Sequence, residues 1–131
     1  MGGMAAFLRE HRLDPDSTLV LGLDTLGAGT PIVLRAEGAL LTHRYRDEDV
    51  ALVGRAAEAA GLNPPQEWRI GGWTDPILAL FAGVPAASVL SIGPKGVFTN
   101  YHRPTDVPVN VDWSSVDACL ALAEAVATAT W

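Results

Sequence analysis

The sequence predicts an α/β fold, a mixed and largely parallel sheet flanked by helices, carried by a single domain over residues 1–131. Three observations predict it. Short apolar runs bounded by Gly and Pro alternate with stretches of helical period, the pattern of interleaved strands and helices. No internal repeat, linker or low-complexity tract interrupts the 131 residues, which are one domain's worth of chain. Apolar residues make up 49 % and charged residues 18 %, a balance that buries a core.

The elements follow in order. Residues 2–12 read as a helix with Met4, Phe7 and Leu8 on one face and Arg9, Glu10 and Arg12 around the other. Asp14-Pro15-Asp16 is a turn. Thr18 to Leu23 is an almost unbroken apolar run, expected to be a central strand buried on both faces, and it ends in Asp24. Pro31 to Ala36 is a second strand, and residues 39–42 are expected to pair back on it. Asp47 is expected to cap a helix running to Ala60, with Val50, Val53, Ala57 and Ala60 as its buried stripe and Gly61 past its end. Glu67 to Ile70 is a short strand. Thr74 is expected to cap a helix from Asp75 to Ala82, with Pro76 in its first turn. Ala86 to Ile92 is an apolar strand. Ser114 is expected to cap the last helix, whose core face is read as Val116, Cys119, Leu120, Ala123 and Ala127.

Composition narrows the function. A net charge of −6 disfavours nucleic acid and anionic membranes as partners, because both need a basic face. No apolar run approaches the roughly 18 residues of a spanning helix, and the opening Met1-Gly2-Gly3-Met4 lacks the basic start and apolar core of a signal peptide. Cys119 is the sole cysteine, which rules out a disulfide framework and a thiolate zinc site within the chain. Gly22, Gly27 and Gly29 fit neither a phosphate loop nor a dinucleotide fingerprint. No serine sits in a Gly-x-Ser-x-Gly elbow.

The segment from Gly93 to Asp112 is too long and too polar for a simple connection, and loops of that kind are usually functional. Within it lies Asn100-Tyr101-His102-Arg103-Pro104-Thr105-Asp106. Pro104 restricts its own φ and that of Arg103, so the loop presents His102 stiffly. Asp24 stands at the end of an apolar strand, where α/β proteins bind ligands. Asp24 and His102 are thus candidate metal donors, with Asp75 and Tyr101 near them. Plainer roles fit the same residues, Asp24 as a turn cap and His102 as a surface loop residue. His11 and His43 lack the spacing that puts two imidazoles on one metal.

Five short motifs occur in one order: Leu23-Asp24-Thr25-Leu26-Gly27, Thr74-Asp75, Ala82-Gly83-Val84-Pro85-Ala86, Asn100 to Asp106, and Asn110-Val111-Asp112. Together, over residues 2–127, they resemble the di-zinc aminopeptidase family. These are the bacterial leucyl aminopeptidase-like metallo-exopeptidases, with glutaminyl cyclases, glutamate carboxypeptidase and the transferrin-receptor ectodomain among their relatives. The resemblance implies a zinc-exopeptidase-like fold, a peptide substrate and a pair of zinc ions in the intact enzyme. It implies that Asp24 and His102 are non-bridging ligands of different zincs and that Tyr101 helps hold the tetrahedral oxyanion. Asp75 and Asp106 are implied as supporting residues, and Trp73, Ile92 and Phe98 as the walls of an apolar side-chain pocket. The family's His-x-Asp segment, bridging carboxylate and Glu-Glu pair have no counterpart here. The expectation is therefore the C-terminal half of such an enzyme, with an incomplete metal site and no activity alone. A metal-free binding module and a glutaminyl-cyclase-like acyl transferase are the alternatives. A half sheet leaves an edge and an apolar face uncovered. The chain is expected to self-associate at micromolar concentration, and a strictly monomeric species in sedimentation would contradict this.

Overall fold

In the computed structural model, which describes residues 1–130, the strand that organises the sheet is β2 (Thr30–Glu37). Its Ile32 and Val33 pair on one side with β5 (Ala86–Ile92) and on the other with β4 (Gln66–Ile70). Its end pairs with the short β3 (His43–Arg44), and β1 (Val20–Leu23) lies outside β5. The β1–β5 and β2–β4 pairings are parallel, while β2–β5 and β2–β3 are antiparallel. The sheet is mixed, and parallel pairing does not predominate as expected. The reason is local: residues 24–29 turn the chain straight back, so β2 runs against β1 and needs no crossover helix.

The expected centre of the sheet is also corrected. β1 pairs only with β5, whereas β5 is buried at every position. Nor is β1 buried on both faces: it is an edge strand with no fully buried residue, Leu23 is exposed, and α3 (Pro76–Phe81) covers only part of it. α3 packs on β1 and β5 and carries α1 (Gly2–Glu10). Gly22 permits this approach, since a Cβ there would lie 2.2 Å from Pro76 Cγ. α2 (Asp47–Ala59) and α4 (Trp113–Thr128) pack on each other and on β2 and β5. Asp49 ties α2 to the sheet by accepting the Ala86 N–H at 2.9 Å. Burial pushes its carboxyl up, and that hydrogen bond opposes the shift.

Three helix readings shift. α1 ends at Glu10, and Phe7 is 43 % exposed while Met4 and Leu8 pack on the core. In α2 the buried stripe takes Asp49 and Ala56 and leaves Ala60 outside. α4 is capped by Asp112, not Ser114, and buries Ser115, Cys119, Leu122, Ala125 and Val126. That helix is apolar on most sides, so only Cys119 of the expected face is buried throughout, and Leu120 is half exposed. Burial pushes the Cys119 thiol up to about 11. Among the described residues no helix is long and apolar enough to cross a membrane.

Thr74 does not cap α3. Its N–H donates to Glu37 Oε2 at 2.5 Å and its hydroxyl to Glu37 Oε1 at 2.6 Å. Glu37, at the end of β2, has no exposed surface. It also accepts the Tyr45 O–H, and Ser88 Oγ lies 2.9 Å from the Tyr45 oxygen and 2.7 Å from Thr74 Oγ1. Burial, with Glu37 beside it, holds the Tyr45 phenol well above its ordinary range. Removing the acceptor strands these donors, at roughly 1–3 kcal/mol per unsatisfied group. Glu37→Ala is therefore expected to lower the unfolding free energy by about 3 kcal/mol or more. Glu37→Gln, which keeps an acceptor for the Thr74 N–H, should cost less. Denaturant unfolding reads both, and an alanine variant as stable as wild type would refute the network's role.

Candidate functional site

Two loops meet beyond the C-terminal end of β1. The first, residues 24–29, carries Asp24, which is exposed and whose carboxyl accepts the Thr25 hydroxyl at 2.7 Å. The second runs from β5 to α4. It is a string of tight turns, with 3-10 turns at Pro94–Gly96 and Pro108–Asn110 and an antiparallel bridge between Gly93 and Val97. Arg103 N–H donates to the Asn100 carbonyl and Asp106 N–H to the Arg103 carbonyl, each at 3.0 Å. Asn100 and His102 take left-handed backbone, with φ of 64° and 56°. These turns explain why a segment of twenty residues without strand or long helix is still well formed.

The loops are tied to each other at their base. Asp112 N–H donates to the Gly27 carbonyl at 2.9 Å, and Ser115 Oγ donates to the Leu26 carbonyl at 2.8 Å. The Asp112 carboxyl accepts the Ser114 and Ser115 N–H groups, so one residue both caps α4 and closes the gap to the first loop.

Side chains from both loops line one cleft of about 550 Å³: Asp24 and Thr25 from the first, Tyr101, His102, Asp106 and Asn110 from the second. The Tyr101 and His102 rings stack, 3.9 Å between centroids and 16° from parallel. A smaller cleft of about 220 Å³ shares Asp24 and Tyr101 and adds Ile70, Trp73, Leu90 and Phe98. A third, of about 420 Å³, shares Asp24 and Trp73 and adds Asp75, whose carboxyl pairs with the Met1 amino group at 2.7 Å. Asp24 is common to all three. Of the expected site residues, Asp24, Asp75, Tyr101, His102, Asp106, Trp73 and Phe98 therefore lie on one connected rim. Ile92 does not: it is 6 % exposed, belongs to the core, and lines none of these clefts. As the last residue of β5 it packs inward, where an apolar strand end is expected to go.

Asp24 and His102 are donors of the right chemistry for zinc, one carboxylate and one imidazole, and both are exposed. They are fewer protein donors than a zinc site takes. Among the described residues no three His, Cys, Asp or Glu side chains gather into a metal-holding group. Sequence reasoning missed Thr25 and Ser91, which shape the turn at Asp24. Two serines inside the otherwise apolar β5, Ser88 and Ser91, were the available signal, since a polar side chain in a buried strand needs a partner. No family model matches the chain, and no curated protein matches it.

The Asp112 carboxyl is held below its usual range, first by the Ser114 hydroxyl and then by the Ser115 and Ser114 N–H groups. Its contribution to stability is therefore whole above the unfolded carboxyl value of about 3.9 and is lost as pH falls through the lower folded value. Asp112→Asn keeps an acceptor and cannot titrate. Its melting temperature is expected to fall less steeply than that of wild type from about pH 5 to about pH 3; parallel profiles would contradict this.

Proposed function

We propose that the chain is the C-terminal portion of a zinc-dependent, aminopeptidase-like exopeptidase that releases N-terminal residues from peptides, with further metal ligands supplied from outside it. One observation carries the reading: Asp24, Tyr101, His102 and Asp106, from two loops far apart in the chain, line one cleft. In this reading Asp24 and His102 each serve a different zinc of a pair. Such a pair supplies Lewis acidity at a peptide carbonyl and lowers the pKa of a water.

The chain's own groups supply the rest of its share. Tyr101 carries a phenol O–H next to His102, a donor suited to a developing oxyanion. The stacking of the two rings restricts both side chains. Trp73, Phe98, Ile70 and Leu90 line an apolar recess beside Asp24, which suits the side chain of the residue released. Asp24 gives the adjoining cleft an exposed carboxylate, which favours a free α-amino group.

A second reading, a metal-free binding module of the same fold, is favoured by the lack of a three-ligand group among the described residues. An acyl-transferring cyclase would use the same residues, and turnover of amino-acid amides against N-terminal glutaminyl peptides separates it from a hydrolase. In a protein with the complete ligand set, His102→Ala is expected to abolish turnover and to lose one zinc per chain by elemental analysis. Near-normal turnover with full zinc would sink the assignment.

A further inference from the structure

Thr25 holds φ at 53°, in the left-handed region that β-branched residues seldom occupy. Such backbone persists only where its surroundings over-determine it. Here one buried side chain contributes two of the hydrogen bonds that fix the turn. Ser91, on β5 and 1 % exposed, donates its N–H to the Thr25 carbonyl at 3.1 Å and its hydroxyl to the same carbonyl at 2.9 Å. Its Oγ then accepts the Ala28 N–H at 3.1 Å. A single serine thus grips both ends of the turn. On the near side the Asp24 N–H is held by the Val89 carbonyl at 3.2 Å. The turn so fixed brings the Thr25 hydroxyl to 2.7 Å from Asp24 Oδ1.

We infer that Ser91 is a positioning residue for Asp24: by pinning the Thr25 carbonyl it holds the left-handed turn in which the Thr25 hydroxyl orients the Asp24 carboxyl at the junction of the three clefts. The inference rests on the proposed function for the use to which Asp24 is put; its geometric content is tested on the chain itself. Ser91 itself lines none of the three clefts. It acts through backbone, and those backbone partners satisfy a hydroxyl buried inside an apolar strand. Burying its hydroxyl is acceptable because both its donor and its acceptor capacity are used.

The test is NMR on the 131-residue chain. The Asp24 Hα–Hβ couplings report its rotamer, and the Thr25 HN–Hα coupling reports its φ. In wild type and in Thr25→Ser, which keeps the hydroxyl, Asp24 is expected to show one large and one small coupling, a single rotamer. In Thr25→Val, which keeps the shape and loses the hydroxyl, the two couplings are expected to converge on intermediate values while the melting temperature stays close to wild type. Ser91→Ala is expected to give the same convergence with a changed Thr25 coupling. Where Ser91→Ala fails to fold, Thr25→Val carries the test. A single Asp24 rotamer retained in Thr25→Val, or in a folded Ser91→Ala, overturns the proposal, because Asp24 would then be held without the threonine hydroxyl or without the serine that sets its turn. A zinc titration of a protein with the complete ligand set, followed at Asp24 and His102, checks the function separately. Silence at both would count against the zinc reading and leave the couplings to decide the role of Ser91.

Discussion

A carboxyl group with no exposed surface sits at the end of the central strand, and the arrangement of the molecule depends on how it is satisfied. Burying Glu37 without partners is costly in a medium that cannot solvate it. The chain meets that cost with a backbone N–H and hydroxyls drawn from three other segments: Thr74 ahead of α3, Tyr45 ahead of α2, and Ser88 on β5 through the other two. Their meeting point sets where α2 begins, where α3 sits over β1, and where the Trp73–Asp75 segment crosses the rim of the clefts. A hydrogen-bond network of this kind is directional, unlike the apolar packing around it, and it specifies one arrangement among several that would bury the same area.

The candidate site is built on the opposite logic. Its side chains are exposed, and their precision comes from backbone. Asp24 is held through a turn gripped by Ser91, and the Tyr101–His102 loop is held through successive turns whose base is tied to Gly27 by Asp112. Both loops contain left-handed residues that are not glycine, Thr25, Asn100 and His102 on the cleft and Lys95 away from it. Local strain concentrated on the residues that share one cleft, above a scaffold that is fully satisfied, is the usual distribution between function and stability. The aromatic cluster of His43, Trp73 and Phe81 extends this rim outward, with Trp73 common to the cluster and to two clefts.

Much of this was legible in the chain, and what was not has a physical cause. β5 was readable at its full length because every residue is apolar or small and Gly93-Pro94 stops it. α2 was readable from its acidic first turn and Gly61. The place of β1 was not, because an apolar edge strand partly covered by one helix and a strand flanked by strands have the same apolar composition. The core face of α4 was not, because only Asp117 and Glu124 mark its outer side. Thr74 read as a cap because its true partner, Glu37, is remote in sequence and chosen by tertiary structure. At the site, the polar residues of the loops were visible as Asp24, Tyr101, His102 and Asp106. The turn that orients Asp24 was hidden, since a positive φ at a threonine contradicts its propensity and appears only once Ser91 is beside it.

The position of β1 has a consequence in time. Its only strand partner is β5, so the segment that carries Asp24 leaves the ribosome before anything in the sheet can receive it. At synthesis rates of about 5–20 residues per second, the interval before Ile92 emerges is several seconds. The second loop and the Asp112 tie to Gly27 come later still. The strands β2 and β4, joined through α2, can pair meanwhile. The order in which partners become available therefore runs from the middle of the chain outward, and the two loops of the cleft can be joined only once Asp112 has emerged.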